Sequence, residues 1–204
     1  TGVVQIITRD GRGPAAWTFE AGKGARGAQR GALGLSGGTA NVGYSLMAAR
    51  QATDGILAFN NRNVTDALSA ALRITNGASD ARFAARWTSA LYQYPTEYDG
   101  TVADRNAEQV DHRFVLAADL GHRFSRTLSA RALLTSNEYL PRANDGPDSP
   151  ADTLGFYGYF SRTVRTRRAA DLRLDYRLAE RSTLTMGAEF ARDRERSSSL
   201  SLSE

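Results

Sequence analysis

Apolar side chains recur at every second position over most of this chain, and that spacing points away from helices and toward extended strands. The cleanest run is 168–178. Ala170, Leu172, Leu174, Tyr176 and Leu178 fall on one face of an extended strand, and Ala169, Asp171, Arg173, Asp175 and Arg177 fall on the other. A helix would mix the two sets, whereas a strand separates them completely. After the short link "AERS" the pattern resumes, with Leu184, Met186, Ala188 and Phe190 set against Thr183, Thr185, Glu189 and Asp193.

The same parity holds upstream. Over 110–124 the apolar set is Val110, Phe114, Leu116, Ala118, Leu120 and Phe124, opposite Asp111, Arg113, Asp119 and Arg123. Over 82–93 it is Phe83, Ala85, Trp87 and Leu91, opposite Arg82, Arg86 and Thr88. Similar runs lie at 68–74, 128–135 and 17–21, and two Gly/Ala-rich stretches at 29–38 and 42–51 keep the parity with Leu33, Leu35, Tyr44 and Leu46. About nine strands of roughly 9–13 residues follow the opening run, longer than the ~5–6 residues usual in soluble sheets and suited to a tilted strand crossing a bilayer.

The connections carry a second pattern. Links at 37–41, 75–80, 125–127 and 179–182 are short, and those at 52–65, 95–108 and 141–165 are long. From the second strand onward short and long alternate, so an up-and-down meander collects all the short turns at one end. That asymmetry is the one seen in outer-membrane barrels. The first hairpin departs from it, because its link at 24–28 is short. Trp17, Tyr44, Phe83, Phe124 and Tyr176 share the apolar parity near the short-turn end, where aromatic rings would mark a lipid–water boundary.

Composition narrows the alternatives. The chain has no cysteine, which excludes disulfide scaffolds and cysteine nucleophiles. Its net charge is +4, but arginines alternate with acids, as in "DLRLDYRLAE", rather than gathering on one stretch. A nucleic-acid partner is therefore not expected. Two all-β architectures satisfy the alternation. A soluble sandwich buries the apolar faces against each other, and a membrane barrel turns them to lipid. Strand length, loop asymmetry and the many alanines on the apolar face (Ala70, Ala85, Ala118, Ala130, Ala132, Ala170, Ala188) favour the barrel, because lipid fills the gap beside a small side chain. The expected fold is an antiparallel up-and-down transmembrane β-barrel. About nine strands are an odd and incomplete set for a closed bacterial barrel, so a fragment of a longer protein is expected.

The opening stretch "GVVQIITRDGRGP" resembles the end of the plug domain of TonB-dependent outer-membrane receptors, where a last plug strand runs through a glycine-rich link into the barrel. "WTFEAGKGARGAQRGALGLSGG" and "VGYSLMAARQATDGI" are similar to the first barrel strands of the vitamin B12 (cobalamin) receptor subgroup. The resemblance implies a boundary near residue 14, with 1–14 as plug end and link and 15–204 as the first part of the barrel. It implies a plug inside a 22-stranded barrel, location in the outer membrane of a Gram-negative bacterium, and uptake of cobalamin, an iron–siderophore complex or a similar ligand driven through TonB. No enzymatic role and no cofactor are expected on this reading.

Two residue sets follow as candidates. Arg82, Arg86, Asp111, Arg113, Asp171, Arg173 and Asp175 would form a hydrated, plug-facing wall, with simple cross-strand pairing as the plainer alternative. Phe59, Asn60, Asn61, Tyr94, Tyr98, Phe156 and Tyr157 lie in the long links, where aromatic and amide groups suit a large, partly apolar ligand. They are equally ordinary surface-loop residues.

Other motifs carry less. "GKGARG" at 22–27 fits a dinucleotide fingerprint, but the alternating stretch after it offers no helix N-terminus for a phosphate. His112 and His122, ten residues apart on one strand, lie about 34 Å from each other and cannot share a metal. Some cobalamin-type receptors bind calcium in outer loops, but the acidic stretch "DGPDSPAD" lacks the ligand spacing of a recognised calcium loop. A passive porin or small barrel enzyme, and a soluble β-sandwich binding module, remain the alternative readings.

Overall fold

The structure, a computed structural model, describes residues 11–97, 100–152 and 156–203. The opening run 2–8 lies outside the described residues. The chain forms nine strands: β1 (Ala16–Lys23), β2 (Gln29–Gly38), β3 (Val42–Thr53), β4 (Asn63–Asn76), β5 (Ser79–Gln93), β6 (Glu108–Arg123), β7 (Leu128–Asp145), β8 (Phe156–Ala179) and β9 (Ser182–Ser203). They pair in sequence order as one open antiparallel sheet, and no helix occurs among the described residues. The architecture is all-β and up-and-down, as the period-two pattern requires.

Short turns close one end of the sheet. Asn76 pairs with Ser79 around a two-residue loop in which Gly77, at φ +54°, supplies the left-handed conformation that such a hairpin takes most readily from glycine. Ser125 caps its own turn, its hydroxyl oxygen accepting from the backbone N–H of Thr127 and Leu128.

Strand lengths depart from the sequence expectation at the far end of the chain. β7, β8 and β9 have 18, 24 and 22 residues, and the link expected over 141–165 contracts to 146–155. Pro141 is the misleading residue. It sits inside β7 opposite Asp111, on the β6 side, while the ladder toward β8 skips from Tyr139–Arg165 to Arg142–Arg162. Proline has no N–H to donate, so the sheet tolerates it with a local gap in pairing rather than a strand end. The serine-rich tail "SSSLSLS" is likewise strand, with Leu200 opposite Phe160 and Leu202 opposite Gly158.

Among the described residues the sheet is a single layer with no second sheet packed on it. Among the described residues the buried apolar side chains are few (Val64, Ala90, Ala107 and Pro95), and Ala107 and Pro95 lie in the 94–107 link. Most of the strands' large apolar side chains stand instead on one open face: Trp17 is 67% exposed, Phe190 64% and Leu172 46%. Register carries this face across the whole sheet. Phe83 pairs with Ala118, Ala118 with Leu134, Leu134 with Ala170 and Ala170 with Phe190. The opposite face runs from Arg82 through Asp119 and Leu133 to Asp171 and Glu189.

The apolar stripe does not follow a register row. On β5 it reaches Trp87, four residues beyond Phe83 toward the long-link end, with Phe114 opposite. On β9 it stops at Phe190, in the row of Phe83 itself, and Arg192 comes next on that face. The stripe thus steps diagonally across the strands.

Candidate functional site

Two groupings of polar side chains are candidates: a cluster where the long links meet, and the wall formed by the polar face.

The links come together through one carboxylate and one amide. Asp104 is buried, and its Oδ1 accepts from the backbone N–H of Ala107 at 2.6 Å and of Asn106 at 2.8 Å. The Asn60 amide reaches across from the preceding link. It donates to the carbonyl oxygen of Ala107 at 3.1 Å, and to that of Tyr94 and to Asp104 Oδ1 at 3.3 Å each. Asn60 itself adopts a left-handed backbone, φ +43°, which asparagine tolerates better than most residues. Asn106 extends the cluster to the third link, its amide donating to the Gly146 carbonyl at 2.9 Å and to Asp148 at 3.1 Å. The Arg105 guanidinium lies 4.7 Å from the centre of the Phe59 ring.

The loop residues singled out from sequence therefore separate. Phe59 and Asn60 hold loops together. The Asn61 side-chain oxygen accepts from the backbone N–H of Ile56 and Leu57, both at 2.8 Å, and shapes its own link. Tyr94 leaves part of its ring exposed beside the cluster. Burial and the neighbouring carboxylates, Asp145 first, push its phenol above the usual range. Phe156 and Tyr157 open β8, directly after the 146–155 link, rather than lying in a loop, and Tyr98 lies outside the described residues. Acidic groups gather here too. Asp145, at the link end of β7, is pushed up to about 6 by burial and then by Asp104, Glu97, Asp148 and Asp152. Among the described residues no group of His, Cys, Asp or Glu has the geometry to hold a metal ion.

The seven wall residues all lie on the polar face. Arg82 is opposite Asp119, and Arg86 is opposite Ser69 and Val115. Asp111 accepts from the Tyr139 hydroxyl and from the Gln109 amide, each at 2.9 Å, and the Arg113 guanidinium sits 4.9 Å from the centre of the Tyr139 ring. Arg173 reaches Asp175 two residues along its own strand at 2.9 Å, and Thr185 donates to the same carboxylate at 2.7 Å. Asp171 faces Leu133 and Glu189 in register. The wall is thus braced mainly by pairs within and between neighbouring strands.

Sequence reasoning missed the tightest unit on this face. Arg131 grips Asp119 with two hydrogen bonds of 2.6 Å and also reaches Asp80 at 3.3 Å. These residues come from β5, β6 and β7, and only the register brings them together. A second aromatic grouping, at the opposite end of the apolar stripe from Phe124 and Tyr176, was also missed. Trp87 stacks on His112 with ring centres 6.5 Å apart, beside Phe114.

No family model matches the chain, and no curated protein matches it.

Proposed function

We propose that this sheet is part of the wall of an outer-membrane β-barrel, and that the barrel is a TonB-dependent receptor for a large, scarce ligand such as cobalamin or an iron–siderophore complex. The observation that carries the membrane part is the open apolar face of a one-layer sheet. Leaving apolar surface in water is unfavourable by roughly 25 cal/mol per Å². Lipid chains cover such a face without the interlocking partner that a protein core demands.

The diagonal stripe supports the same reading. A lipid band has constant height, and barrel strands tilt by roughly 35–45°, so the band crosses register rows obliquely. From Phe114 on β6 to Phe124 just past its end the stripe spans ten residue steps. That is about 34 Å of strand, or about 26 Å of height at a tilt near 40°, close to the ~25 Å apolar band of such barrels. Trp87 and Phe114 then stand near one boundary, and Phe124 and Tyr176 near the other. The polar face lines a wet lumen. β1 and β9 each have one partner strand among the described residues, and in hydrocarbon such edges require further strands to close them.

The receptor part rests on the resemblance of the opening stretch to a plug end and of the next two stretches to cobalamin-type barrel strands. The ionic wall suits a plug held by exchangeable polar contacts, and the proposal assigns the chain no catalysis. Uptake in the native host tests it. Labelled cobalamin and iron–siderophore should accumulate in cells with the gene and not in cells lacking it, and a protonophore or loss of TonB should abolish that accumulation. Entry that is unsaturable and indifferent to the protonophore would replace the receptor with a passive pore. Recovery in the aqueous fraction with a cooperative melt would replace it with a soluble module.

A further inference from the structure

The β8–β9 hairpin continues well past the apolar stripe, and its two faces treat arginine differently. On the lumen face Arg165 pairs with Glu195 at 2.8 Å and Arg167 with Asp193 at 3.1 Å. On the lipid-side face Arg168 stands directly opposite Arg192, the first pair beyond Ala170–Phe190. Arg194 and Arg196 follow on the same face, and Arg162 lies opposite Arg142 of the neighbouring β7. Among the described residues none of these six arginines makes an ion pair or a side-chain hydrogen bond. All six are exposed. Glu138, opposite Thr166 and Phe114, is the only carboxylate on this face of β7, β8 and β9 beyond the stripe among the described residues.

We propose that this strip binds the phosphate groups of lipid headgroups at the membrane surface; the proposal rests on the membrane reading above and goes beyond it. Position supplies the first reason. The strip begins about 7 Å of strand beyond the Ala170–Phe190 pair that ends the continuous stripe, at the height where hydrocarbon gives way to headgroups. Charge supplies the second. Like charges directly opposite each other in a ladder repel, and a phosphate between Arg168 and Arg192 turns that repulsion into attraction. Chemistry supplies the third. The planar guanidinium takes phosphate oxygens two at a time, and alternate residues on one strand repeat at about 6.8 Å, so neighbouring headgroups can be engaged side by side. The same hairpin places its acids on the lumen face, where they neutralise Arg165 and Arg167 and leave the strip unopposed.

The experiment uses the protein in phosphatidylcholine nanodiscs carrying a little brominated lipid. Lipid A, a phosphorylated glycolipid, is titrated in and its binding is read by native mass spectrometry. Quenching of Trp17 and Trp87, the only tryptophans, reports contact with lipid. At about fivefold in affinity per surface arginine, the triple variant Arg192→Gln, Arg194→Gln, Arg196→Gln should bind lipid A about a hundredfold more weakly. The lumen-face double variant Arg165→Gln, Arg167→Gln should stay within about twofold of the parent, since it leaves the strip intact. Quenching should be equal in all three. Equal lipid A affinity in parent and triple variant, with quenching intact, overturns the strip alone. Inorganic phosphate binding as tightly as lipid A also overturns it, by making the site one for free anions. Loss of quenching in the parent overturns the membrane reading and the strip together.

Discussion

The side-chain nitrogen of Asn60 lies 3.1 Å from the carbonyl oxygen of Ala107, across 47 residues of chain. That one amide joins two links whose own sequences give no sign of contact. Replacing Asn60 by Gly keeps the left-handed backbone open but removes all three hydrogen bonds, leaving the buried Asp104 with one donor fewer. The expected cost is about 1–3 kcal/mol to the local stability of the linked loops, for an acceptor left short in a buried site. Hydrogen exchange should show faster exchange over 94–107 and unchanged protection in the middle of β5 and β6. Uniform loss across the sheet would show that Asn60 supports the whole fold and not the loops.

Asp145 gives the same region a pH dependence. Its carboxyl is raised from 3.8 to about 6 in the folded chain by burial and by surrounding acids. Between those two values the folded form holds a proton that the unfolded form has lost, so stability falls as pH rises through this window and levels off above it. Exchange of the amides over 100–107 should therefore be slower, after correction for intrinsic rates, at pH 5 than at pH 7.5. Asp145→Asn should flatten the difference. A loop cluster that is equally or more protected at the higher pH would contradict this assignment.

These two cases mark what local sequence can and cannot disclose. The strands were legible because side-chain parity is a property of one segment: Leu172 and Asp171 are adjacent, and alternation alone puts them on opposite faces. The loop cluster was not, because Asn60, Asp104 and Gly146 meet only after three hairpins have formed. Phe59, Asn60 and Asn61 looked like ligand groups since their residue types suit both tasks, and only coordinates show them engaged with the chain itself. Pro141 misled for a physical reason, as it forbids a donated hydrogen bond and not an extended backbone. The reach of β8 and β9 was understated because Arg, Thr and Ser occupy both faces there, which erases the apolar signal while leaving the ladder intact.

On the polar face, Arg131 bridges Asp119 and Asp80. Arg131→Met leaves those two carboxylates without their shared cation and should lower stability by about 1 kcal/mol, the scale of a well-formed but hydrated ion pair. Asp119→Asn should cost a similar amount. If the contact is direct, the double variant should cost clearly less than the two single changes together, as measured by urea unfolding in phospholipid vesicles. Strict additivity would mean that each side chain acts through water alone.

The next residue along, Ala132, tests the opposite face. It lies between Leu128 and Leu134 on the apolar stripe, opposite Leu120 and Leu172, so in a barrel wall it sits near mid-bilayer. An arginine there should cost about 2–4 kcal/mol, because the guanidinium must be held in hydrocarbon or drag water and headgroups inward. Six residues further on, Glu138 shares the face but lies beyond the stripe, and Glu138→Arg should cost about 0–1 kcal/mol. The steep difference between two positions of equal parity on one strand is a depth profile, and only a lipid band of limited height produces it. A packed protein cover would penalise added bulk at position 132, so Ala132→Leu, which lipid accepts, would be as harmful as Ala132→Arg. Urea titrations of the three variants in vesicles decide the matter. Tolerance of arginine at 132, or intolerance of leucine, would remove the hydrocarbon from the apolar face and the barrel reading with it.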